Sequence, residues 1–500
     1  MIMMQPFYAH PFDSDRLHEE CGVFGMIGAA DAANFVALGL HALQHRGQEA
    51  GGIISFDPEM GFNSAHRFGY VRDNFTKQST METLPGSIAI GHVRYSTAGG
   101  KGAAIRDVQP FFGEFAMGGC AIAHNGNITN AEALRRELIE RGSIFQSTSD
   151  SECIIHLMAR SIQRNIPERM KDALRRVEGA FSVIAMTRTK LIGVRDSLGV
   201  RPLVIGKLGD GSHVLSSETC ALDIIGAELV REVEPGEMVV ISKSGIESSR
   251  PFGPSRGRFC IFEHVYFSRP DSIISGRSVY ETRRQIGVEL AREAPVEADL
   301  VCPVPDSGTP AAIGYSQESG IPFAMGIIRN QYVGRTFIEP TEQIRNMGVR
   351  LKLNVNRALV KGKRIILVDD SIVRGTTSRK IKDMILAAGA SEVHFRVASP
   401  PTAWPCFYGV DTPERDKLLA ATMSTEEMRE WIGIDSLAFV SLDGLYRAVG
   451  EAEGRNSACP QYCDACFSGD YPVAPFDQLE RGFQMRPESE TGAAAGHAAE

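Results

Sequence analysis

Cys21 opens the segment Cys21-Gly22-Val23-Phe24-Gly25, directly after a very different stretch, Leu17-His18-Glu19-Glu20. A thiol in apolar surroundings is by default a small buried hydrophobe, and as a nucleophile it needs a base. A free α-amino group, with a pKa of about 8, serves as that base, whereas an internal peptide nitrogen does not. The pair Asn125-Gly126 in His124-Asn125-Gly126-Asn127 reads by itself as a turn, because Asn-Gly favours positive φ. Arg94 alone reads as half of a surface ion pair, and Asp150 after Ser149 as a helix cap. Asp369 and Asp370 are harder to dismiss. Adjacent carboxylates among apolar residues repel one another and call for a compensating partner, such as hydroxyls and a magnesium ion. Arg374, Gly375, Thr376, Thr377 and Ser378 then offer N–H groups and hydroxyls at a helix start, an anion cradle. Cys463 and Cys466, with Cys459 nearby, have the spacing of half a zinc site.

The elements that must hold these residues divide into two regions. From Cys21 to about residue 241, short apolar runs at 87–90, 181–186 and 203–205 alternate with Gly, Asp and Ser and predict many strands. Helices are expected at 34–43 and 131–141, the second with Leu134, Leu138 and Ile139 at helical spacing. An α+β sandwich fits. Residues 242–258, rich in Ser, Gly, Pro and Arg, read as a linker. From 259 to 448 strand and helix patterns alternate as in a parallel α/β sheet. Its clearest unit is a strand at 364–368, a loop at 369–377, a helix at 378–388 stopped by Gly389, and a strand at 393–398. The tail 488–500 is expected to be disordered.

Composition excludes some classes. The 500 residues are 43% hydrophobic and 23% charged, with a net charge of −8 and no basic block, so no nucleic-acid partner is expected, and no apolar stretch approaches the ~20 residues that a membrane span needs. No secretory leader is apparent, the chain reads as cytoplasmic, and its 10 cysteines read as thiols, nucleophile or metal ligands rather than disulfides. No Gly-Lys pair is followed by Ser or Thr, so a Walker-type loop is absent.

Taken in order, Cys21-Gly22-Val23-Phe24-Gly25, Leu43-Gln44-His45-Arg46-Gly47-Gln48, Gly91-His92-Val93-Arg94-Tyr95-Ser96-Thr97, His124-Asn125-Gly126-Asn127 and Ser149-Asp150-Ser151-Glu152 resemble the glutaminase domain of amidotransferases with an N-terminal cysteine nucleophile. The segment Val368 to Thr377 resembles the ribose-phosphate signature of phosphoribosyltransferases, and Val304-Pro305-Asp306-Ser307-Gly308 resembles their pyrophosphate loop. Both domains occur together in the glutamine phosphoribosylpyrophosphate amidotransferases. Residues 329–337 and 350–354 resemble that family's flexible loop. The resemblance implies an αββα N-terminal-nucleophile sandwich over 21–250 and a parallel-sheet phosphoribosyltransferase domain over 259–470, preceded by a propeptide at 1–20.

For the site, the resemblance implies Cys21 as nucleophile, Asn125 and Gly126 as oxyanion donors, and Arg94 and Asp150 as the grip on glutamine. Asp369, Asp370, Ser371, Arg374, Gly375, Thr376 and Thr377 bind phosphoribosylpyrophosphate, Tyr332 and Arg335 belong to the closing loop, and Ser307, Asp369 and Asp370 hold one Mg2+. His45 and His92 are structural partners, since the amine already supplies a base. Spacing alone favours zinc at Cys463 and Cys466. The family's cluster-bearing branch implies instead a [4Fe–4S] cluster on Cys260, Cys406, Cys463 and Cys466. Cys120, Cys153, Cys220 and Cys302 then pack in the core, and Cys459 is a spare. A homotetramer inhibited by purine nucleotides is also implied. The rivals fit less well: an asparagine synthetase or glucosamine-phosphate synthase is not expected to carry a segment like 369–377, and a transcriptional regulator that binds the same sugar phosphate would need no Cys21 glutaminase and should show a basic surface.

Overall fold

The computed structural model describes residues 18–19, 21–95, 104–330 and 353–485. Seven antiparallel strands run in the order Glu228–Glu232, Val204–Lys207, His213–Ser216, Gly22–Ile27, Ile88–Arg94, Ala50–Asp57, Gly61–Phe68. A second antiparallel sheet runs Gly245–Ser249, Met238–Ser242, Leu191–Arg195, Gly179–Met186, Gly118–Ile128, Phe111–Phe115. Val23, Ile90, Ala121, Ile184 and Leu215 fill the space between the sheets. Helix Ala32–Ala42 covers the outer face of the first sheet through Val36 and Leu40. Helices Ala131–Glu140, Glu152–Arg160 and Ile166–Leu174 cover the second. The result is the four-layer αββα sandwich. Because central strands are covered on both faces, Gly179–Met186 is buried at every position, and its sequence reads as an unbroken apolar run. Each fully buried Ile or Leu in such a layer contributes about 1.5–3 kcal/mol.

The second region holds a four-stranded parallel sheet, Leu300–Pro303, Arg364–Asp369, Glu392–Val397, Ser436–Phe439. Alternation sorts its residues. Ile366 and Val368 face helices Val279–Glu293 and Thr309–Ser319, whereas Ile365 and Leu367 face Thr376–Ala387. Ligands bind at the carboxyl ends of such strands, where this chain puts Asp369 and Asp370.

Two expectations change. The stretch 242–258 is not all linker, because Gly245–Ser249 folds back on Met238–Ser242 as an edge strand. Its polar residues disguised it, since only one side of that edge is covered. The chain also returns to the first region after residue 470. Helix Phe476–Glu480 brings the Asp477 carboxylate to the N–H groups of Glu132 (2.8 Å) and Ala133 (3.3 Å). It thereby caps helix Ala131–Glu140, whose own N-cap Asn130 makes no side-chain cap bond. Of the expected propeptide, only His18–Glu19 is described; it pairs antiparallel with Val410–Asp411. Most of 1–20, and all of 488–500, lie outside the described residues.

Candidate active site

Cys21 stands just ahead of strand Gly22–Ile27, in the middle of the first sheet, and is 8% exposed. Gly22 lies opposite Val93, so Arg94 ends its strand beside the start of the Cys21 strand. Behind them sits a buried charge cluster. Arg46, fully buried, donates to Glu218 and to Glu263 (2.7 Å), and Arg201 donates to Glu263 at 3.1 Å. His45 approaches Glu218 at 2.6 Å. Burial alone would raise the Glu218 carboxyl, but Arg46 and His45 outweigh it and hold it far below the usual carboxylate range. The motif Gln44-His45-Arg46-Gly47 therefore seats the Cys21 strand. Gly47 abuts the backbone of Val93 and Arg94, and Gly22 abuts Arg46 Cδ.

Asn125 and Gly126 lie in strand Gly118–Ile128 of the facing sheet, opposite Ser182 and Phe181. Asn125 is fully buried, yet neither its amide oxygen nor its amide nitrogen has a hydrogen-bond partner. A buried orphan amide costs about 1–3 kcal/mol, so its retention points to a partner that arrives with a ligand. Gly126 has φ +137°, and a Cβ there would meet the Ala180 carbonyl oxygen at 2.0 Å. One guanidinium nitrogen of Arg94 is likewise buried and unpartnered. Asp150 accepts from Ile128 N at 3.0 Å and Ser151 N at 2.7 Å while its side chain stays 24% exposed.

His92 is fully buried with Nε2 3.2 Å from the His124 carbonyl oxygen; burial, with Arg94 and His124 adding, pushes its pKa down to about 3. Sequence reasoning assigned no role to Gln109 or Ser151. Gln109 accepts from His124 N (2.7 Å) and donates to Ser151 Oγ (3.2 Å), and Ser151 Oγ meets His124 Nδ1 at 2.8 Å. Residues 96–103, which follow Tyr95 in the chain, lie outside the described residues.

At the second centre Asp369 and Asp370 are 6% and 7% exposed. Asp370 N donates to Asp369 Oδ1 (3.0 Å) and Ser371 Oγ to Asp370 Oδ1 (2.7 Å). Burial pushes the Arg283 pKa down to about 10, against the pull of Asp370. Gly375, in the left-handed region, leads into helix Thr376–Ala387, and Arg374 Nε is buried without a partner. The loop 304–308 crosses above the same strand end, with Val304 N donating to Val368 O (2.8 Å) and Ser307 Oγ buried and unpartnered. The Pro305–Asp306 peptide is cis. Tyr332 and Arg335 lie outside the described residues.

The four cysteines come from three segments, at 260, 406 and 463–466. Cys260 and Cys463 sit side by side in a short parallel ladder. Cys406 accepts from Tyr408 N at 3.3 Å, and the carbonyl of Cys466 accepts from Ala403 N and Trp404 N. Burial, then the neighbouring thiols Cys260, Cys406 and Cys463, push the Cys466 thiol well up. Among the described residues no three metal-ligating side chains are gathered for a single ion. Cys120, Cys153, Cys220 and Cys302 are buried, and Cys459 is half-buried beside Arg256 (2.6 Å).

A glutamine amidotransferase domain model matches residues 97–223. The amidophosphoribosyltransferase of Rhizobium etli is 58% identical over 474 residues, covering 94% of this chain and 95% of its own. That of Bacillus subtilis is 47% identical over 458 residues, covering 91% and 95%. Among solved structures, the Bacillus subtilis glutamine phosphoribosylpyrophosphate amidotransferase complexed with ADP and GMP superposes with a TM-score of 0.85 at 45% identity, covering 91% of this chain and 98% of that one.

Proposed function

The chain belongs to the amidophosphoribosyltransferases, and from that membership we propose how its residues divide the work. The reaction hydrolyses glutamine and transfers the ammonia to C1 of 5-phosphoribosyl 1-pyrophosphate. It yields 5-phosphoribosylamine, glutamate and pyrophosphate, the first committed step of purine synthesis. At the first centre the Cys21 thiol attacks the carboxamide carbon, and the α-amine of Cys21, freed by removal of residues 1–20, takes the thiol proton and returns it to the departing ammonia. The Asn125 amide and Gly126 N–H hold the oxyanion, Arg94 the glutamine carboxylate and Asp150 its ammonium. Water then releases glutamate from Cys21. The observation that carries this reading is the orphaned amide of Asn125, an unspent donor next to His124, whose carbonyl meets His92 opposite Val23 in the Cys21 strand.

At the second centre Asp369 and Asp370 hold the ribose hydroxyls, while Ser371, Arg374, Gly375, Thr376 and Thr377 cradle the 5-phosphate at a helix N-terminus. Ser307 Oγ, buried without a partner, and the two buried carboxylates suit a Mg2+ ion, which would neutralise the departing pyrophosphate. The family resemblance assigns Tyr332 and Arg335, outside the described residues, to the substrate-closing loop.

Cys260, Cys406, Cys463 and Cys466 suit a [4Fe–4S] cluster. These four thiols would hold the cluster as thiolates, which fits residues not gathered tightly enough for a single ion. Such a cluster would supply a covalent staple joining the segments at 260, 406 and 463–466. The proposal extends to a cytoplasmic homotetramer inhibited by purine nucleotides. No helix among the described residues is long and apolar enough to cross a membrane, and the solved Bacillus relative was complexed with ADP and GMP.

Replacing Cys21 by Ala tests the division. Turnover with glutamine disappears, while turnover with ammonium salts persists because the second centre needs only ammonia. A folded Cys21→Ala enzyme that has lost both would show the two centres are not separate.

A further inference from the structure

One segment of the second region reaches both centres. Its start is fixed where Ala398 N donates to the Asp369 carbonyl oxygen at 2.8 Å. It then passes Ala403 and Trp404, whose N–H groups bond the Cys466 carbonyl, and reaches Cys406. The next residues lie against the glutaminase sandwich. The Phe407 carbonyl accepts from Asn127 Nδ2 at 2.9 Å, and the Tyr408 carbonyl accepts from Arg201 Nε at 2.8 Å. Gly409 has φ +100°, and a Cβ there would lie 2.9 Å from Gly126 Cα and 3.0 Å from its carbonyl carbon.

Gly126 is thus held from two sides. Ala180 in the neighbouring strand closes one, since a Cβ on Gly126 would meet the Ala180 carbonyl oxygen at 2.0 Å. The backbone of Gly409 closes the other, and the two carbonyls before it are pinned, Phe407 by Asn127, the residue after Gly126, and Tyr408 by Arg201. An oxyanion donor works only if its N–H points where the charge develops, and a displacement of about 1 Å costs roughly 10²-fold in rate. Arg201 is itself fixed by Glu263, so the clamp rests on the buried charges behind Cys21.

We propose that residues 407–409 are a positioning clamp for the glutaminase centre, contributed by the region that binds the sugar phosphate, with Gly409 setting the place of the Gly126 N–H. This rests on the reading of Asn125 and Gly126 as oxyanion donors. The clamp explains why glycine occupies 409, where a side chain would press on the Gly126 backbone; glycine at 126 itself answers to the Ala180 carbonyl. Cys406 precedes by three residues Gly409, whose backbone abuts Gly126.

The test uses the full-length mature enzyme carrying Gly409→Ala, with kcat and KM for glutamine, ammonia-dependent turnover, and the rate at which iodoacetamide alkylates Cys21. Alkylation is a displacement that builds no oxyanion. The clamp predicts a glutamine kcat lower by about 10²-fold, KM within about threefold, and unchanged alkylation and ammonia turnover. Unchanged kcat overturns it, and so does a parallel fall in alkylation and turnover, which marks general collapse. If Gly409→Ala does not fold, Asn127→Ala, which cuts the tether to Phe407, decides on the same readouts. Asn125→Ala separates the two levels. Loss of glutamine turnover in Asn125→Ala but not in Gly409→Ala sinks the clamp alone, whereas full turnover in Asn125→Ala sinks the oxyanion reading with it.

Discussion

Asn125→Ala should reduce glutamine turnover strongly and leave the fold intact, a combination few buried substitutions give. Asn125 is fully buried and its amide has no partner. Truncating it relieves about 1–3 kcal/mol of unmet desolvation, which offsets the packing lost with the amide. The balance is near zero, and thermal unfolding should stay within about 3 °C of the parent. In the reaction the same amide gains a partner, the oxyanion, and loss of one such donor raises the barrier by about 3–4 kcal/mol, or 10²–10³ in kcat. The KM for glutamine should hold, because the donor acts on charge absent from bound substrate. The assay pairs steady-state glutaminase kinetics with a melting curve. A fall of less than about threefold, or a lost kcat matched by a drop in melting temperature, would refute the reasoning.

Glu263→Gln leaves Arg46 and Arg201 without the carboxylate both bond, so urea unfolding should show a loss of about 3–5 kcal/mol, against at most ~1 kcal/mol for Glu281→Gln in the exposed pair with Arg284. His92, pushed down to about 3 by burial and then by Arg94 and His124, stays neutral in the native state while the unfolded chain takes up a proton below about 6.5. Stability should therefore fall as pH drops through 6.5, by on the order of 2–3 kcal/mol at pH 4.5 from this group alone, and His92→Gln should flatten that slope in urea titrations. Anaerobically purified protein should absorb broadly near ~400 nm and bleach in air. Cys459→Ser should keep the colour and Cys466→Ser lose it; colourless active protein with stoichiometric zinc would reverse that assignment.

What was legible in the sequence followed from local physics. The strand, loop and helix around Asp369 showed because a buried parallel strand must be an apolar run and the helix after it must carry a stripe. The strand Gly245–Ser249 was missed because an edge with one covered face carries the same polar residues as a loop. Asn125-Gly126 reads locally as a turn, yet it lies inside the strand Gly118–Ile128, where Gly126 is required by its φ of +137° and the approach of the Ala180 carbonyl. Long-range contacts leave no local trace. The Asp477 cap, the Arg46, Glu263 and Arg201 cluster, and the Gln109 to Ser151 bridge join residues far apart in the chain, each unremarkable in its own neighbourhood.

The account turns on Cys21 acting as an N-terminal nucleophile. The most direct measurement is the intact mass of fully active protein before and after inactivation by one equivalent of an electrophilic glutamine analogue, with the adduct mapped by peptide sequencing. The account predicts a chain that begins at Cys21 and gains a single adduct on that thiol, with glutamine turnover lost and ammonia turnover kept. Full activity with residues 1–20 still attached, or an inactivating adduct on any other residue, would contradict it.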